Sequence, residues 1–344
     1  MTAYFISTLN QSNGLRGTVA RLQKELDTAT QEASTGQYAD AGRELGARSA
    51  RIVAFQGEMT RLNELVGSNA VTQTRLASTQ TVLDDLIDAA TSFRNDLLLD
   101  HGDVNSRAAS LHDGASNLER LGAALNTYVS GRFIFAGEKS DVAPFAGVAA
   151  GNAATEAAFA AEFGFSTSAA STQGISAGAM SAFLDGGHAS LYGEAAWKAN
   201  WSAAGDNVAR SRISPSESIN SSISANEPAF RKLAEAFSML AEFGGQKLND
   251  EAYHALTSKA VATATDAING LTQLSARNGA ATKRLDTATT RVNAQITLLT
   301  KQSDALQSVD PYEAATRVSH IQTQIQAAFY MTSQLRDLKL FKYL

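Results

Sequence analysis

Cysteine is absent from this chain of 344 residues, which excludes disulfides, thiolate metal sites and thiol nucleophiles together. Proline is nearly absent: it stands at Pro144, Pro215, Pro228 and Pro311, and nowhere before residue 144. A proline inside a helix costs about 3 kcal/mol, so its absence from the first part of the chain permits very long helices there. Charge is sparse as well. Asp, Glu, Lys and Arg make up 18% of the chain, against roughly 25% in a typical soluble domain, and Ala, Ser, Thr, Gln and Asn fill the gap. A surface rich in uncharged polar groups suits close packing against identical neighbours, because like charges then repel little. The net charge of −5 and a sequence pI near 5.6, with no basic run interleaved with aromatics, argue against a nucleic-acid partner. No stretch approaches the roughly 20 apolar residues that span a bilayer, so no membrane partner is expected. The opening residues Met1 to Asn10 have neither a charged n-region nor a long apolar h-region. Sec-type secretion is therefore not indicated, and export that leaves the N-terminus uncleaved stays open.

The signatures of catalysis are lacking too. His101, His112, His188, His254 and His320 are scattered, with no two at metal-ligand spacing on one helix face. There is no HExxH, no DxDxDG loop and no GxSxG elbow. Gly131 to Ser140 superficially resembles a P-loop, but five residues separate its glycines and Glu138 precedes Lys139. Asp84, Asp85 and Asp88 cluster on a helix surface, where carboxylates are ordinarily solvated. The chain reads as a non-enzyme, with no cofactor and no metal.

What the chain does have is one signal repeated at its two ends. Leu15, Val19, Leu22, Leu26, Ala29 and Ala33 form an apolar seam stepping alternately by four and three, and so do Val318, Ile321, Ile325, Ala328, Thr332 and Leu335. A mean period of three and a half residues lets one helix wrap around another, so the N- and C-terminal helices are expected to pair, with the rest of the chain looped out between them.

Between the ends, helices are expected from Thr8 to Thr35 (stopped by Gly36), over 47–99, and from Val104 to Val129. The second of these would span roughly 80 Å. Its register runs through Ile52, Phe55, Met59, Leu62, Val66, Leu76, Leu83 and Ile87, with Asn69, Gln73 and Gln80 falling on the seam. Such polar residues either fix register or mark a part-solvated helix. Arg132 to Ala136 then reads as a short β-type run. From Asp141 to Ala209 the chain turns rich in Gly, Ala and Ser, with six acidic residues and a single Lys198. Aromatic runs from Phe159 to Phe165 and from Leu191 to Trp201 suggest strands there, and Trp197 and Trp201 either pack a small core or line a ligand surface. Helices resume near Asn226 and stop at Gly244-Gly245, then run from Asp250 to Leu306. Asp310, Pro311 and Glu313 read as a capping box that launches the last helix. The expected fold is mainly α with a β-containing insert, built from long antiparallel coiled-coil helices.

Three stretches, together with the two seams, resemble the flagellin superfamily, and within it the hook–filament junction proteins (hook-associated protein 3) of alphaproteobacterial type. Ala33-Ser-Thr-Gly-Gln-Tyr-Ala-Asp40 is similar to that family's turn after the first helix. Gly131-Arg-Phe-Ile-Phe-Ala-Gly-Glu-Lys-Ser-Asp141, with Pro144-Phe145, is similar to its passage into the outer domain, and Asp310 to Leu344 to its last helix. The sequence departs from the filament subunits in one place: Gln37 to Gly46 lacks their paired aspartates.

The resemblance implies a layered architecture. Residues 1–40 and 305–344 would form an inner-tube domain, 41–135 and 226–304 a helical rod domain, and 136–225 a β-containing outer domain. It also implies a structural, extracellular role in the bacterial flagellum: a ring that connects hook to filament and templates flagellin assembly, reached by type III export without a cleaved signal peptide. The implied partners are further copies of the chain in a helical ring, a hook-associated protein on the hook side, flagellin on the filament side, and an export chaperone. The expected assembly interface is the pair of seams: Leu15, Val19, Leu22, Leu26 and Ala29 with Val318, Ile321, Ile325, Ala328 and Leu335. A filament subunit, a non-flagellar coiled-coil scaffold, and an adhesin or enzyme hosted by the insert are the competing readings.

Overall fold

A computed structural model describes residues 3–100, 102–243 and 247–340. His101 and the Gly244-Gly245 stop lie outside the described residues, as do Met1, Thr2 and the last four residues. The fold is mainly α with two small antiparallel strand pairs, and the chain divides into two compact units, residues 1–63 with 293–344, and residues 64–292.

In the first unit, helix α1 (Ala3–Thr35) pairs antiparallel with α10 (Pro311–Leu340). Helix α1 begins five residues earlier than the expected Thr8. It ends where Gly36 takes a left-handed φ of 69°, its N–H still reaching Glu32 O at 2.9 Å. The chain then turns beside the entry to α10. Gln37 forms an antiparallel bridge with Ser308, Tyr38 N–H donates to Gln307 O at 3.0 Å, and Val309 N–H donates to Gly36 O at 2.9 Å. Asp310 caps α10 by accepting from Tyr312 N–H at 2.8 Å, with Pro311 at the first helical position. The reciprocal half of the capping box is replaced, because the Glu313 carboxylate accepts from Arg317 instead, at 3.2 Å. The short α2 (Ala41–Leu45) is capped by Asp40. The unit also holds the opening of α3 (Ala47–Leu98) and the close of α9 (Asp250–Gln307), where Leu62 is fully buried.

In the second unit, α4 (Val104–Leu125) and α8 (Pro228–Phe243) pack with the remaining parts of α3 and α9 around one apolar core. Helix α4 stops at Leu125, short of the expected Val129, because Thr127 to Phe133 turns into a hairpin of β1 (Tyr128–Val129) and β2 (Arg132–Phe133). Ser130 and Gly131, both at positive φ, form its tight turn. Phe93 meets Phe237 edge-on at 4.9 Å. Gly114 lets α4 approach closely, since a Cβ there would stand 2.8 Å from Phe237 O on α8.

The polar seam residues prove structural. Asn69 Nδ2 donates to Ile213 O and to Thr289 Oγ1, each at 3.0 Å. Asn278 Nδ2 donates to Leu76 O at 2.9 Å and Gln80 Oε1 at 3.0 Å. Asn69 and Gln80 therefore tie α3 to α9 rather than marking a solvated stretch. Gln73 does not join them: its Oε1 is buried and finds no partner.

The insert differs from expectation. Phe159 and Phe163 lie on a helix, α5 (Ala149–Phe163), and Trp197 lies on α7 (Glu194–Asn200), with Trp201 at its C-cap, where strands were expected. The aromatics recur four apart among alanines, a helical period with strong helix formers between. A 3₁₀ turn (Ala170–Gly174) and α6 (Ala177–Phe183) complete the lobe, the latter running into a π-helical turn, Leu184–His188. Its β component is the hairpin of β3 (Arg210–Ser214) and β4 (Glu217–Asn220), docked through Ile213 and Ile219 on Leu76, Leu285 and Ala288. Trp197 and Trp201 are buried and stack at 5.9 Å, so they pack the lobe's core rather than line a ligand surface.

Candidate assembly surface

Of the ten residues expected to form an interface, four are buried where α1 meets α10: Leu22, Ala29, Ile321 and Ala328. Leu22, Ala29 and Ile321 form one apolar cluster, flanked by the half-buried Leu26, Val318 and Ile325. Leu15 and Val19 lie further toward the N-terminus, half-buried and outside that cluster. Leu335 is on α10, with its side chain outside the described set. The seams thus meet within a single chain, and the opposite side of α10 leaves Tyr312, Phe329, Tyr330 and Met331 exposed.

Sequence reasoning missed a charged pair at the base of this helix pair. The Glu32 carboxylate is buried at 2% exposure, accepts from Arg317 Nη1 at 3.0 Å, and accepts from Ala39 N–H at 3.2 Å. A signal was present: Arg317 is the sole basic residue between Pro311 and Leu335.

The stretch from Gly131 to Phe145 acts as a latch. Phe135 O accepts from Ala225 N–H at 2.7 Å, and Ala136 O from Gly205 N–H at 3.0 Å. Gly137 adopts φ 65°, and a Cβ there would stand 2.5 Å from Gly205 O. The two glycines of the P-loop look-alike thus serve a hairpin turn and a close backbone crossing. Pro144-Phe145 is clamped by Asn126, whose amide donates to Phe145 O at 3.0 Å and accepts from Phe145 N–H at 2.9 Å. The Phe145 ring packs on Trp201 at 5.9 Å.

One constellation has the residue types of a catalytic site. His188 Nε2 is 3.1 Å from Ser238 Oγ, to which Tyr192 donates its hydroxyl at 2.5 Å. Ser238 spends its own proton on Glu235 O at 3.0 Å, so it accepts from both neighbours and His188 carries its proton on Nε2. Nδ1 is left without a partner. Burial, with Lys232 and Lys259 nearby, pushes His188 down to about 3. His188, Ser238 and Tyr192 are all closed off from solvent, so the cluster packs the interior and offers a substrate no access. Among the described residues, no group of three or more His, Asp or Glu is placed to hold a metal. No helix is long and apolar enough to cross a membrane.

The chain matches the model of the bacterial flagellin N-terminal helical region over residues 6–140 and that of the bacterial flagellin C-terminal helical region over residues 261–344. These two regions take up well over half of the chain, which belongs to the bacterial flagellin family, a family of structural proteins rather than enzymes. A putative flagellar hook-associated protein from Vibrio parahaemolyticus shares the fold at a TM-score of 0.55 and 12% identity, over 77% of this chain and 99% of that one. Bacillus cereus FlgL aligns at a TM-score of 0.45 and 12% identity, over 75% of this chain and 100% of that one. No curated protein matches the chain.

Proposed function

We propose that this chain is a structural subunit of the bacterial flagellum that forms the junction ring between hook and filament and templates flagellin assembly. The observation that carries the reading is the pairing of α1 with α10, an antiparallel pair built from the two ends of the chain. The latch at 131–145 supports the junction role over the filament-subunit role, as does a turn at 37–46 without paired aspartates.

In this reading the base of the pair is formed within each subunit, and the distal part completes its burial against neighbouring copies. Leu15 and Val19 are half-buried in the single chain, and burying a large apolar side chain fully is worth roughly 1.5–3 kcal/mol. A few such residues per subunit offset the entropy of ordering the helix ends. The partners are then further copies in a helical ring, a hook-associated protein on one side, flagellin on the other, and an export chaperone before assembly. A chain without cysteine is well suited to passing unfolded through a type III export channel.

The test is electron microscopy of cells deleted for this gene, with an assay of flagellin in the medium. Bare hooks with shed flagellin are expected. Bare hooks without shed flagellin would make the chain a filament subunit, and normal filaments would remove it from the flagellum.

A further inference from the structure

The apolar seam is a poor ruler. Its buried positions include Ala29 on α1 and Ala314 and Ala328 on α10, small side chains that fit one another at several offsets. A slide of one heptad would put alanine near alanine again at little cost in packing. Something else must make one register better than its neighbours.

We infer that the Glu32–Arg317 pair is that register lock, a positioning device that goes beyond the proposed role in the flagellum and does not depend on it. Three observations combine. Glu32 is buried at 2% exposure, whereas the other two acids of α1, Glu25 and Asp27, are exposed. Arg317 is the sole cation on α10 before Arg336. The guanidinium is itself held by Glu313, 3.2 Å from Nη2, and presents Nη1 to Glu32 at 3.0 Å. An acid that is removed from water needs a partner, because an unpaired buried charge is strongly destabilising.

Sliding α10 by one heptad replaces Arg317 opposite Glu32 with either Asp310 or Gln324. The first is a like charge and the second is neutral, and neither neutralises the carboxylate. Every slipped register therefore strands Glu32, while the native one satisfies it twice, from Arg317 and from Ala39 N–H at 3.2 Å. The second bond comes from the turn after α1, so the lock also joins that turn to the start of α10. Gln37 bridges Ser308 at the same level. The ion pair thus sits where the helix pair begins and sets the offset of all that follows.

The absence of cysteine makes a clean test. In the purified full chain, Ala29→Cys is combined with Ile321→Cys to report the native register. It is combined with Ala314→Cys or Ala328→Cys to report a slide of one heptad either way. Oxidised intrachain loops are quantified on non-reducing gels in the native background, with Arg317→Glu, and with Glu32→Arg, Arg317→Glu and Glu313→Arg together. The native background should close the 29–321 loop in preference to both slipped loops. Arg317→Glu should lower the ratio of native to slipped loops at least about tenfold, and the full reversal should restore it. A ratio unmoved by Arg317→Glu, a reversal that fails to restore it, or no 29–321 loop in the native background would each overturn the lock. None of these results depends on whether the protein reaches the flagellum.

Discussion

The guanidinium of Arg107 lies over the ring of Tyr253, 4.3 Å from its centroid. Its nitrogens donate to Gly102 O at 2.7 Å, to Leu248 O at 2.5 Å and to Asp250 Oδ1 at 2.5 Å. The Tyr253 hydroxyl donates in turn to Asp100, which also accepts from Ser110 at 2.9 Å and from Gly102 N–H at 2.8 Å. One buried arginine therefore joins the turn between α3 and α4 to the start of α9. Removing it strands two carbonyls and the stacked ring. Arg107→Ala should cost about 2–4 kcal/mol, and Arg107→Lys should recover little, since an ammonium lacks the planar fork. Urea unfolding followed by tryptophan fluorescence measures both.

Gly151 faces Trp201 so closely that a Cβ would stand 1.9 Å from the indole. The Trp201 ring is held by Trp197, Tyr192 and Phe145 and has no room to retreat. Gly151→Ala should cost about 1–3 kcal/mol through overpacking and shift the emission maximum to the red as the indoles gain water. Emission unchanged in wavelength would show that the lobe adjusts without opening.

His188 gives the lobe a pH dependence of definite sign. Its folded-state pKa of about 3 lies below the ordinary value of 6.5, so the unfolded chain takes up the proton first. The stabilisation is complete above about pH 6.5 and is lost as pH falls toward 3, at about 1.4 kcal/mol per pH unit. Glu235 and Glu242 act in the opposite sense: burial raises both, and their contribution is lost as pH rises through the carboxylate range. Below pH 6, the fall in urea midpoint should therefore be shallower in His188→Gln than in the native chain. Equal slopes would mean that His188 is hydrated and free to titrate.

Asn69 couples the β3–β4 hairpin to the helices, through Ile213 O and Thr289 Oγ1. Asn69→Ala leaves a buried carbonyl unpaired at a cost of about 1–3 kcal/mol. Hydrogen exchange should accelerate in residues 211–219 while the amides of α8 keep their protection. Equal acceleration in both would make Asn69 a general core residue rather than a hairpin anchor.

Much of the helical framework was legible because its signals are local. Gly36 stops α1, Pro228 opens α8, and Asp310 with Pro311 launches α10, all at the expected positions. The aromatic lobe was misread because a short apolar run has no decisive period. Phe159 and Trp201 declare helical spacing only when their partners Phe163 and Trp197 are known to share a face. The seam was visible, but half of what holds it was not. Glu32 looks like any surface acid until Arg317, 285 residues away, is seen to cover it.

The sequence by itself determined the long helices, their ends, the apolar seam at each terminus and the lack of catalytic chemistry, since periodicity, helix breakers and residue inventory act over a few positions. Tertiary structure alone decided the register of α1 on α10, the anchoring of a hairpin by Asn69 across 220 residues to Thr289, and the burial of His188 against Ser238. The reason is physical: whether a polar or charged group stabilises or destabilises depends on the partner and the solvent it meets, and both are set by chain segments far away in sequence.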